Sequence, residues 1–278
     1  MSKKVLVTGA NGYIGRHVVK QLLDSGCDVV VSDVRFDGID SRAKLNKTPL
    51  FEKNEHIYTD FGEPDVCIHM AWRNGFQHNN ISHIEELSKH YEFIQSMLQQ
   101  GLKQLVVMGT MHEIGYWEGA ITEDTPANPT SLYGIAKNAL RQLAILEAKN
   151  NNAILQWVRA YYIIGDDEKN NSIFTKIVQA EKEGKTTFPF TTGKNKYDFI
   201  DVDKLAEQIS AVATQTKVHG IINCCTGQPM SLAERVEKFI KDKGYKIKLE
   251  YGAYPDRPYD SPGVWGDTTK INAILEER

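Results

Sequence analysis

Short apolar runs rich in β-branched residues alternate with stretches of helical period along the chain. The apolar runs are KVLVT, DVVVSD, VCIHMA, LVVMGT, ILQWVRAYYI and GIINCC, and the stretches between them include GRHVVKQLLDSG and SHIEELSKHYEFIQSMLQQG. The runs are apolar on both faces, as strands are when helices cover both sides of a parallel sheet. The pattern therefore predicts an α/β fold with a doubly wound parallel sheet.

The alternation weakens twice, which predicts two interleaved lobes. It loosens after Gly165, returns as a helix-then-strand unit at 202–225, and loosens again towards the C-terminus. We expect residues 1–165 and 198–225 to form the sheet domain, and 166–197 with 226–278 to form a smaller C-terminal lobe. In that lobe, SLAERVEKFIKDKG carries Ser231 and Glu234 as the capping box of a core-packed helix.

Composition and charge exclude several classes of partner. The chain has 278 residues, with 33 Lys and Arg against 36 Asp and Glu and a net charge of −3. This balance gives no general attraction to nucleic acid or anionic membranes, so a small-molecule function is favoured. The sequence starts as a strand, MSKKVLVTGA, with no room for a signal peptide, and no apolar run reaches the ~18 residues of a membrane span. We expect a cytoplasmic protein.

The four cysteines, Cys27, Cys67, Cys224 and Cys225, show no metal-ligand spacing. Two of them are adjacent in a strand-like run, where neighbouring side chains point to opposite faces. We interpret all four as reduced core cysteines and predict no metal site.

A glycine-rich turn follows the first predicted strand. The segment VTGANGYIGRH places Gly9, Gly12 and Gly15 between that strand and the first helix. The first glycine allows a sharp turn, the second lets the backbone approach a pyrophosphate, and the third lets the helix pack on the strand. With the helix N-terminus facing the phosphates, the turn predicts a dinucleotide site in a Rossmann-type domain.

The end of the second strand indicates which dinucleotide binds. Asp33 stands there, where a carboxylate accepts hydrogen bonds from the adenosine ribose hydroxyls, so NAD is favoured. Arg16 and Arg35 lie close enough in sequence to offer a guanidinium to a 2′-phosphate. NADP therefore stays an alternative.

The segment TSLYGIAKN places Tyr133 and Lys137 one turn apart on one helix face, where their polar ends can meet. Thr110 ends the strand KQLVVMGT, so its hydroxyl lies at the carboxyl edge of the sheet, where open α/β folds bind ligands. A phenol of pKa ~10 needs about 4 kcal/mol of stabilisation of its anion to titrate near pH 7. The lysine ammonium and a positive nicotinamide ring are candidate sources. We predict proton transfer by Tyr133.

The order of the motifs TGANGYIG, IHMA, VVMGT, YGIAK and YDFIDVDKLA resembles that of the extended short-chain dehydrogenase/reductase family, the epimerase/dehydratase group that acts on nucleotide sugars. The resemblance covers essentially the whole chain and implies a homodimer. It implies that Tyr133 is the acid/base, that Lys137 binds the nicotinamide ribose and lowers the tyrosine pKa, and that Thr110 orients the substrate oxygen. Further implied cofactor contacts are Asn11, Tyr13, Ile14, Asp60, Phe61, Met70 and Ala71.

Two departures from the family pattern narrow the reaction. The 4,6-dehydratases have an Asp-Glu pair after the threonine, whereas Met111 and His112 stand here, so dehydration is disfavoured. Glu113 is one position late for that role, and we interpret it as an ordinary polar residue at the margin of the site. The 4-epimerases carry the motifs RxFNPxG and RDY. In this chain Tyr162 stands in place of the asparagine of the first motif, and Tyr197 stands in place of the arginine of the second.

The segment from 109 to 142 most resembles 4-keto reductases of nucleotide-linked 6-deoxyhexuloses. We therefore predict an NAD(P)H-dependent reductase of such a sugar, with a nucleotide-sugar 4-epimerase as the alternative and a non-catalytic dinucleotide sensor as a third hypothesis. His69 is expected to be a structural residue at a strand end. The candidate substrate contacts, on the family's NNL and RPGD elements and beside Thr110, are Met111, His112, Asn171, Ser172 and Arg257.

Overall fold

The computed structural model describes residues 2–165, 172–256 and 260–277. The helices are α1 (Tyr13–Asp24), α2 (Ile57–Asp60), α3 (Ser82–Glu85), α4 (Leu87–Gln100), α5 (Leu132–Asn150), α6 (Ile173–Lys182), α7 (Val202–Thr214), α8 (Leu232–Asp242) and α9 (Thr269–Glu276), with a 3-10 turn at Met111–Glu113. The strands are β1 (Lys4–Thr8), β2 (Asp28–Ser32), β3 (Lys44–Leu45), β4 (Val66–His69), β5 (Gln104–Thr110), β6 (Gly119–Ile121), β7 (Ile154–Ala160), β8 (Tyr162–Ile164), β9 (Thr187–Pro189), β10 (Lys196–Asp201), β11 (Gly220–Cys224), β12 (Pro229–Ser231), β13 (Lys248–Glu250) and β14 (Gly263–Gly266).

In the described part of the chain, seven parallel strands form the main sheet in the order β3-β2-β1-β4-β5-β7-β11. The chain starts at β1 near the middle and winds outwards first on one side and then on the other. Val5 of β1, for example, pairs with Val29 of β2 and with Val66 of β4. The sheet confirms the predicted doubly wound α/β fold.

Alternating side chains of each strand reach separate cores on the two faces of the sheet. Val5 and Val7 join a cluster with α1, α7 and α9, whereas Leu6 joins a cluster with α4 and α5. Because both faces are buried, the strands have no polar face, which explains the continuous apolar runs in the sequence. Cys67 and Cys224 are fully buried in these cores, and the four cysteines are free.

A second sheet lies beside the main one, with β10 at its centre. β12 pairs antiparallel to β10, β14 and β8 pair parallel to it, and β6 pairs with β14. The predicted unit at 202–225 is α7 followed by β11, and Ser231 and Glu234 form the predicted capping box of α8. The division into two lobes stays a prediction; α9 packs on α7 and β11, although 226–278 was assigned to the second lobe.

Asp198 of β10 fastens the second sheet to the loop after β11. Its buried carboxylate accepts hydrogen bonds from the backbone N–H groups of Thr226, Gly227 and Gly266, and from the Thr226 hydroxyl. No helix within the described ranges is long and apolar enough to cross a membrane. The same residues contain no group of three or more His, Cys, Asp or Glu placed to hold a metal ion.

Candidate active site

The glycine turn between β1 and α1 is closed so tightly that side chains do not fit in it. Gly9 has a φ of 68°, and a Cβ there would lie 2.6 Å from the Ala71 backbone nitrogen. A Cβ on Gly15 would lie 2.3 Å from the Gly9 carbonyl oxygen. Gly12 is exposed and caps α1 without a side-chain hydrogen bond, so no capping side chain covers the helix N-terminus, whose dipole favours an anion. The turn therefore fits a pyrophosphate.

Asp33 fixes this turn to the end of β2. Its carboxylate accepts hydrogen bonds from the backbone N–H groups of Asn11 at 2.8 Å and Val34 at 2.7 Å. The Asn11 side chain in turn donates to Asp37 and accepts from the Gly38 N–H. Carboxylate oxygens have four acceptor positions in total, so Asp33 keeps capacity for ribose hydroxyls.

Other predicted cofactor contacts also lie around the turn. The backbone N–H groups of Met70 and Ala71 point to the Thr8 hydroxyl oxygen at 3.3 and 3.4 Å, which brings the end of β4 against the turn. The Tyr13 hydroxyl donates to the Gly165 carbonyl at 2.5 Å. Ile14 packs against the main core. Arg35 is exposed in the loop that follows β2.

Asp60 and Phe61 are not placed as the resemblance implied. Phe61 is fully buried in the core under α4 and α5, and Asp60 is exposed at the end of α2, bonded to Asn54. The next residue, Gly62, accepts a hydrogen bond from Lys4 at the start of β1, so this segment runs towards the amino ends of the strands. Cofactors bind at the opposite, carboxyl ends. The assignment of these two residues to the cofactor is therefore wrong.

Tyr133 lies in the first turn of α5 and faces the end of β5. Ser131 caps the helix by accepting from the Gly134 N–H, and the Tyr133 N–H donates to the His78 carbonyl at 2.8 Å. Thr110, the last residue of β5, is buried, and its side chain lies close enough to the Tyr133 phenol to lower the pKa of that group. The predicted tyrosine and threonine therefore meet at the carboxyl edge of the sheet.

The protein surroundings of Tyr133 favour the protonated phenol. Burial raises the pKa of Tyr133 to about 12, the hydrogen bond to Thr110 partly opposes that rise, and the negative charge of Glu113 adds to it. The sequence prediction had the neighbouring lysine lowering this pKa. The difference arises because a buried phenolate loses its hydration, and the protein groups around Tyr133 do not replace it.

Lys137 is directed to a carbonyl and an indole ring rather than to the phenol. Its Nζ donates to the Met108 carbonyl at 2.8 Å and lies 3.8 Å from the centre of the Trp72 ring. The side chain is 3% exposed, and burial lowers the pKa of Lys137 to about 7, against the opposing effect of Glu113. The ammonium therefore titrates near neutral pH.

Three histidine rings surround Tyr133, and two of them have no counterpart in the sequence-based site. His78 stacks on Tyr133 with ring centres 5.3 Å apart, His83 lies at 5.2 Å, and His112 at 6.2 Å. Burial lowers the pKa of His112 to about 4 and lowers that of His78 as well. These two rings are therefore neutral at pH 7. His78 and His83 were missed because they are distant from Tyr133 in sequence and follow no motif.

Glu113 does not lie at the margin of the site, where the sequence analysis placed it, but in the core. The side chain is fully buried and accepts hydrogen bonds from Arg159 Nε at 2.8 Å and from Trp157 Nε1 at 2.9 Å. Arg141 Nε lies 3.7 Å from the same carboxylate. Both oxygens of this carboxylate are thereby engaged in the core by side chains of β7.

The structure separates the candidate substrate contacts. His112 lies beside Tyr133, and the centre of the Tyr162 ring is 6.5 Å from the centre of the His112 ring. Met111, by contrast, packs in an apolar cluster and is 6% exposed. Ser172 caps α6 by accepting from the Thr175 N–H. Asn171 and Arg257 lie outside the described residues.

Comparison with known proteins decides the family. A model of the NAD-dependent epimerase/dehydratase family matches residues 5–225. The chain belongs to this family. A dTDP-6-deoxy-L-talose 4-dehydrogenase (NAD(+)) of Aggregatibacter actinomycetemcomitans is 45% identical over 269 residues, which cover 94% of this chain and 98% of the relative. A UDP-arabinose 4-epimerase of Arabidopsis thaliana is 26% identical, with 98% and 74% covered.

Solved structures share the fold. MoeE5 in complex with UDP-glucuronic acid and NAD superposes with a TM-score of 0.81 at 23% identity, over 98% of this chain and 92% of that chain. A UDP-N-acetylglucosamine 4-epimerase from Methanobrevibacter ruminantium M1 gives a TM-score of 0.85 at 19% identity, with the same coverage.

Membership of an NAD-dependent family confirms the predicted cofactor and the preference for NAD. It also confirms that the protein is an enzyme of the sugar-nucleotide oxidoreductase type, of the 4-dehydrogenase or epimerase kind.

Gly9→Ala should abolish NAD binding, because its Cβ meets the Ala71 backbone. Gly26→Ala is the matched control: Gly26 also has a positive φ, of 80°, but a Cβ there meets nothing within 4 Å. We expect both variants to lose about 1 kcal/mol of stability from backbone strain, Gly9→Ala to lose more because its Cβ overlaps backbone atoms, and only Gly9→Ala to lose NAD affinity in calorimetric titrations. Equal NAD affinity in the two variants would contradict the role given to this turn.

Lys137→Met should stabilise the protein at pH 6 while harming its function. The pKa of Lys137 falls from 10.5 to about 7 on folding, so the unfolded chain binds more protons between these values, and wild-type stability rises with pH in that window. The variant lacks this dependence. We expect it to be more stable by ~2 kcal/mol at pH 6, after allowing for the lost contacts to Met108 and Trp72, with the gain fading towards pH 10.

Urea unfolding of Lys137→Met at pH 6, 7.5 and 9 checks this. Lys149→Met, at an exposed position of the same helix, is the control and should follow the wild type at each pH. A Lys137→Met stability gain that stays constant with pH would show that Lys137 does not titrate in this range.

Proposed function

We propose that the protein reduces the 4-keto group of a nucleotide-linked 6-deoxyhexose with NADH. The observation that supports this most is the meeting of Thr110 and Tyr133 at the carboxyl edge of the sheet, with Lys137 one helical turn away and the glycine turn two strands across. The 45% identical relative is named for oxidation at C4 of such a sugar, which is the same hydride transfer in reverse.

The proton in this reaction comes from Tyr133. Burial keeps the phenol protonated at neutral pH, which is the form that donates to a carbonyl oxygen as charge develops on it. Thr110, whose side chain lies beside the same phenol, orients that oxygen in this proposal. Bound NADH supplies the hydride. The protonated phenol is the form from which reduction starts, whereas oxidation of the alcohol would start from the phenolate.

Lys137 binds the nicotinamide ribose in this proposal. Its Nζ donates one N–H to a carbonyl and faces one aromatic ring, so at least one of its three N–H donors is left for a ribose hydroxyl. The His112 ring lies beside Tyr133 and the Tyr162 ring lies beside His112, and both are candidate sugar contacts. Asn171, Ser172 and Arg257 remain candidates for the diphosphate.

Elimination of water is disfavoured because the acid that could serve it is engaged by other side chains. Glu113, the nearest acid along the chain to Thr110, is engaged by Arg159 and Trp157.

A 4-epimerase remains the second candidate, supported by the similarity to a UDP-arabinose 4-epimerase. An epimerase keeps its NAD through oxidation and re-reduction, so it consumes no NADH and retains the cofactor through gel filtration. A non-catalytic sensor would keep its biological activity in Tyr133→Phe. A homodimer remains an expectation.

Tyr133→Phe should leave NADH affinity intact and lower turnover by roughly 10²–10⁴-fold, because it removes the transferred proton and keeps the ring. Absorbance at the NADH band, recorded with a panel of nucleotide-linked 4-keto-6-deoxyhexoses, measures this. Tyr116→Phe, at an exposed position, is the matched control and should be fully active. Failure of the wild type to oxidise NADH with any ketone in the panel, or normal turnover by Tyr133→Phe, would contradict the proposal.

A further inference from the structure

Trp72 contacts the Lys137 ammonium directly, and its ring also packs edge-on against Tyr133 with ring centres 6.2 Å apart. Lys137 Nζ lies 3.8 Å from the centre of its ring, and the lysine side chain is 3% exposed. A buried ammonium needs partners that replace its hydration, and the face of an indole is the strongest aromatic partner available. The other protein partner that Nζ has is the Met108 carbonyl.

The edge of the indole is held by His83. Trp72 Nε1 donates to His83 Nδ1 at 3.0 Å, so the proton of that neutral imidazole is on Nε2, which donates to the Gln77 carbonyl at 3.0 Å. The two rings are coplanar to within 16°. Both nitrogens of His83 are thereby satisfied, and the indole cannot rotate about its long axis without losing a hydrogen bond.

The indole plane is held by His90, which stacks on it with ring centres 4.4 Å apart. His90 is itself oriented by a directional chain of hydrogen bonds. The Thr8 hydroxyl accepts two backbone N–H groups from the residues after β4, so it donates its own proton to His69 Nδ1 at 2.9 Å. His69 Nε2 then donates to His90 Nδ1, also at 2.9 Å. The stacking of His90 on Trp72 and these hydrogen bonds therefore connect the indole to Thr8, the last residue of β1 before the glycine turn.

We propose that Trp72 is a positioning residue that holds the Lys137 ammonium, through its braced indole face, where the nicotinamide ribose binds. This rests on the ribose-binding role of Lys137 in the proposed function. The other titratable groups that act on Lys137 are Glu113 on the 3-10 turn, His69 on β4 and His90 on α4. Glu113 is paired with Arg159, and burial lowers the pKa of both histidines, so they are neutral. Trp72 is the partner whose face touches the cation.

Fluorination of the indole tests this without changing its shape. Tetrafluorotryptophan replaces all four tryptophans, which removes the negative potential of the ring face and leaves its volume nearly unchanged. In protein carrying ¹³Cε-lysine, the Lys137 resonance is identified by its absence from Lys137→Met and titrated by NMR. We expect its midpoint to fall by about 0.5–1 pKa unit on fluorination, because the charged form loses its aromatic partner. NADH affinity should weaken several-fold at pH 8 and hold at pH 6, where the lysine stays charged.

Trp72→Phe is the matched background, because fluorinating the remaining tryptophans should then leave the Lys137 midpoint unchanged. A midpoint that does not move in the wild type, or that falls equally in Trp72→Phe, overturns the proposal. An affinity loss that is the same at pH 6 and pH 8 also overturns it, since a purely structural effect has no reason to follow the lysine charge. The NMR titration does not depend on catalytic turnover, so its outcome is independent of the reductase proposal. If the Lys137 midpoint shifts and no ketone is reduced, the reductase proposal fails and the role of Trp72 stands.

Discussion

The buried ion pair of Glu113 and Arg159 is the interaction on which the rest of the site depends. Both side chains are fully buried, and removing either partner would leave an uncompensated charge in the core, at a cost of about 3–5 kcal/mol. Arg159 belongs to β7 and Glu113 to the 3-10 turn after β5, so the pair fixes how the chain leaves β5 beyond Thr110. Arg159 also donates to the Thr122 carbonyl and contacts Asn223, which joins the main sheet to the strands of the second one.

The same carboxylate shapes the electrostatics of the proton-transfer pair. Its negative charge raises the pKa values of both Tyr133 and Lys137, but burial is the larger effect on each and acts in opposite directions, upwards for the phenol and downwards for the ammonium. The protein alone therefore holds a neutral acid next to a lysine that titrates near pH 7. That combination suits donation of a proton to a carbonyl, and the positive charge needed to form a phenolate has to come from the bound cofactor.

The sequence predicts the parts of this site that depend on local structure. A glycine turn and a Tyr-Lys pair one helical turn apart are read from spacing alone, because a few neighbouring residues determine their geometry. Phe61 was misassigned because the position of a residue relative to the sheet edge depends on where the third strand ends. The role of Glu113 depends on Arg159, far along the chain, and Trp72 acquires its histidine brace only when α3 and α4 fold against β4. Such contacts follow from topology and leave no periodic signal.

The most direct test of the account is the fate of deuterium carried at C4 of the nicotinamide. NADH labelled on either face in turn is supplied with a nucleotide-linked 4-keto-6-deoxyhexose, and the product is analysed by mass spectrometry and NMR. Net reduction at the Tyr133 site predicts one deuterium at C4 of the sugar from one of the two labelled forms, with one NAD⁺ formed per sugar. A C4 alcohol that carries no deuterium from either labelled form, or unreacted 4-keto sugar with the label kept on the cofactor in both forms, would contradict it.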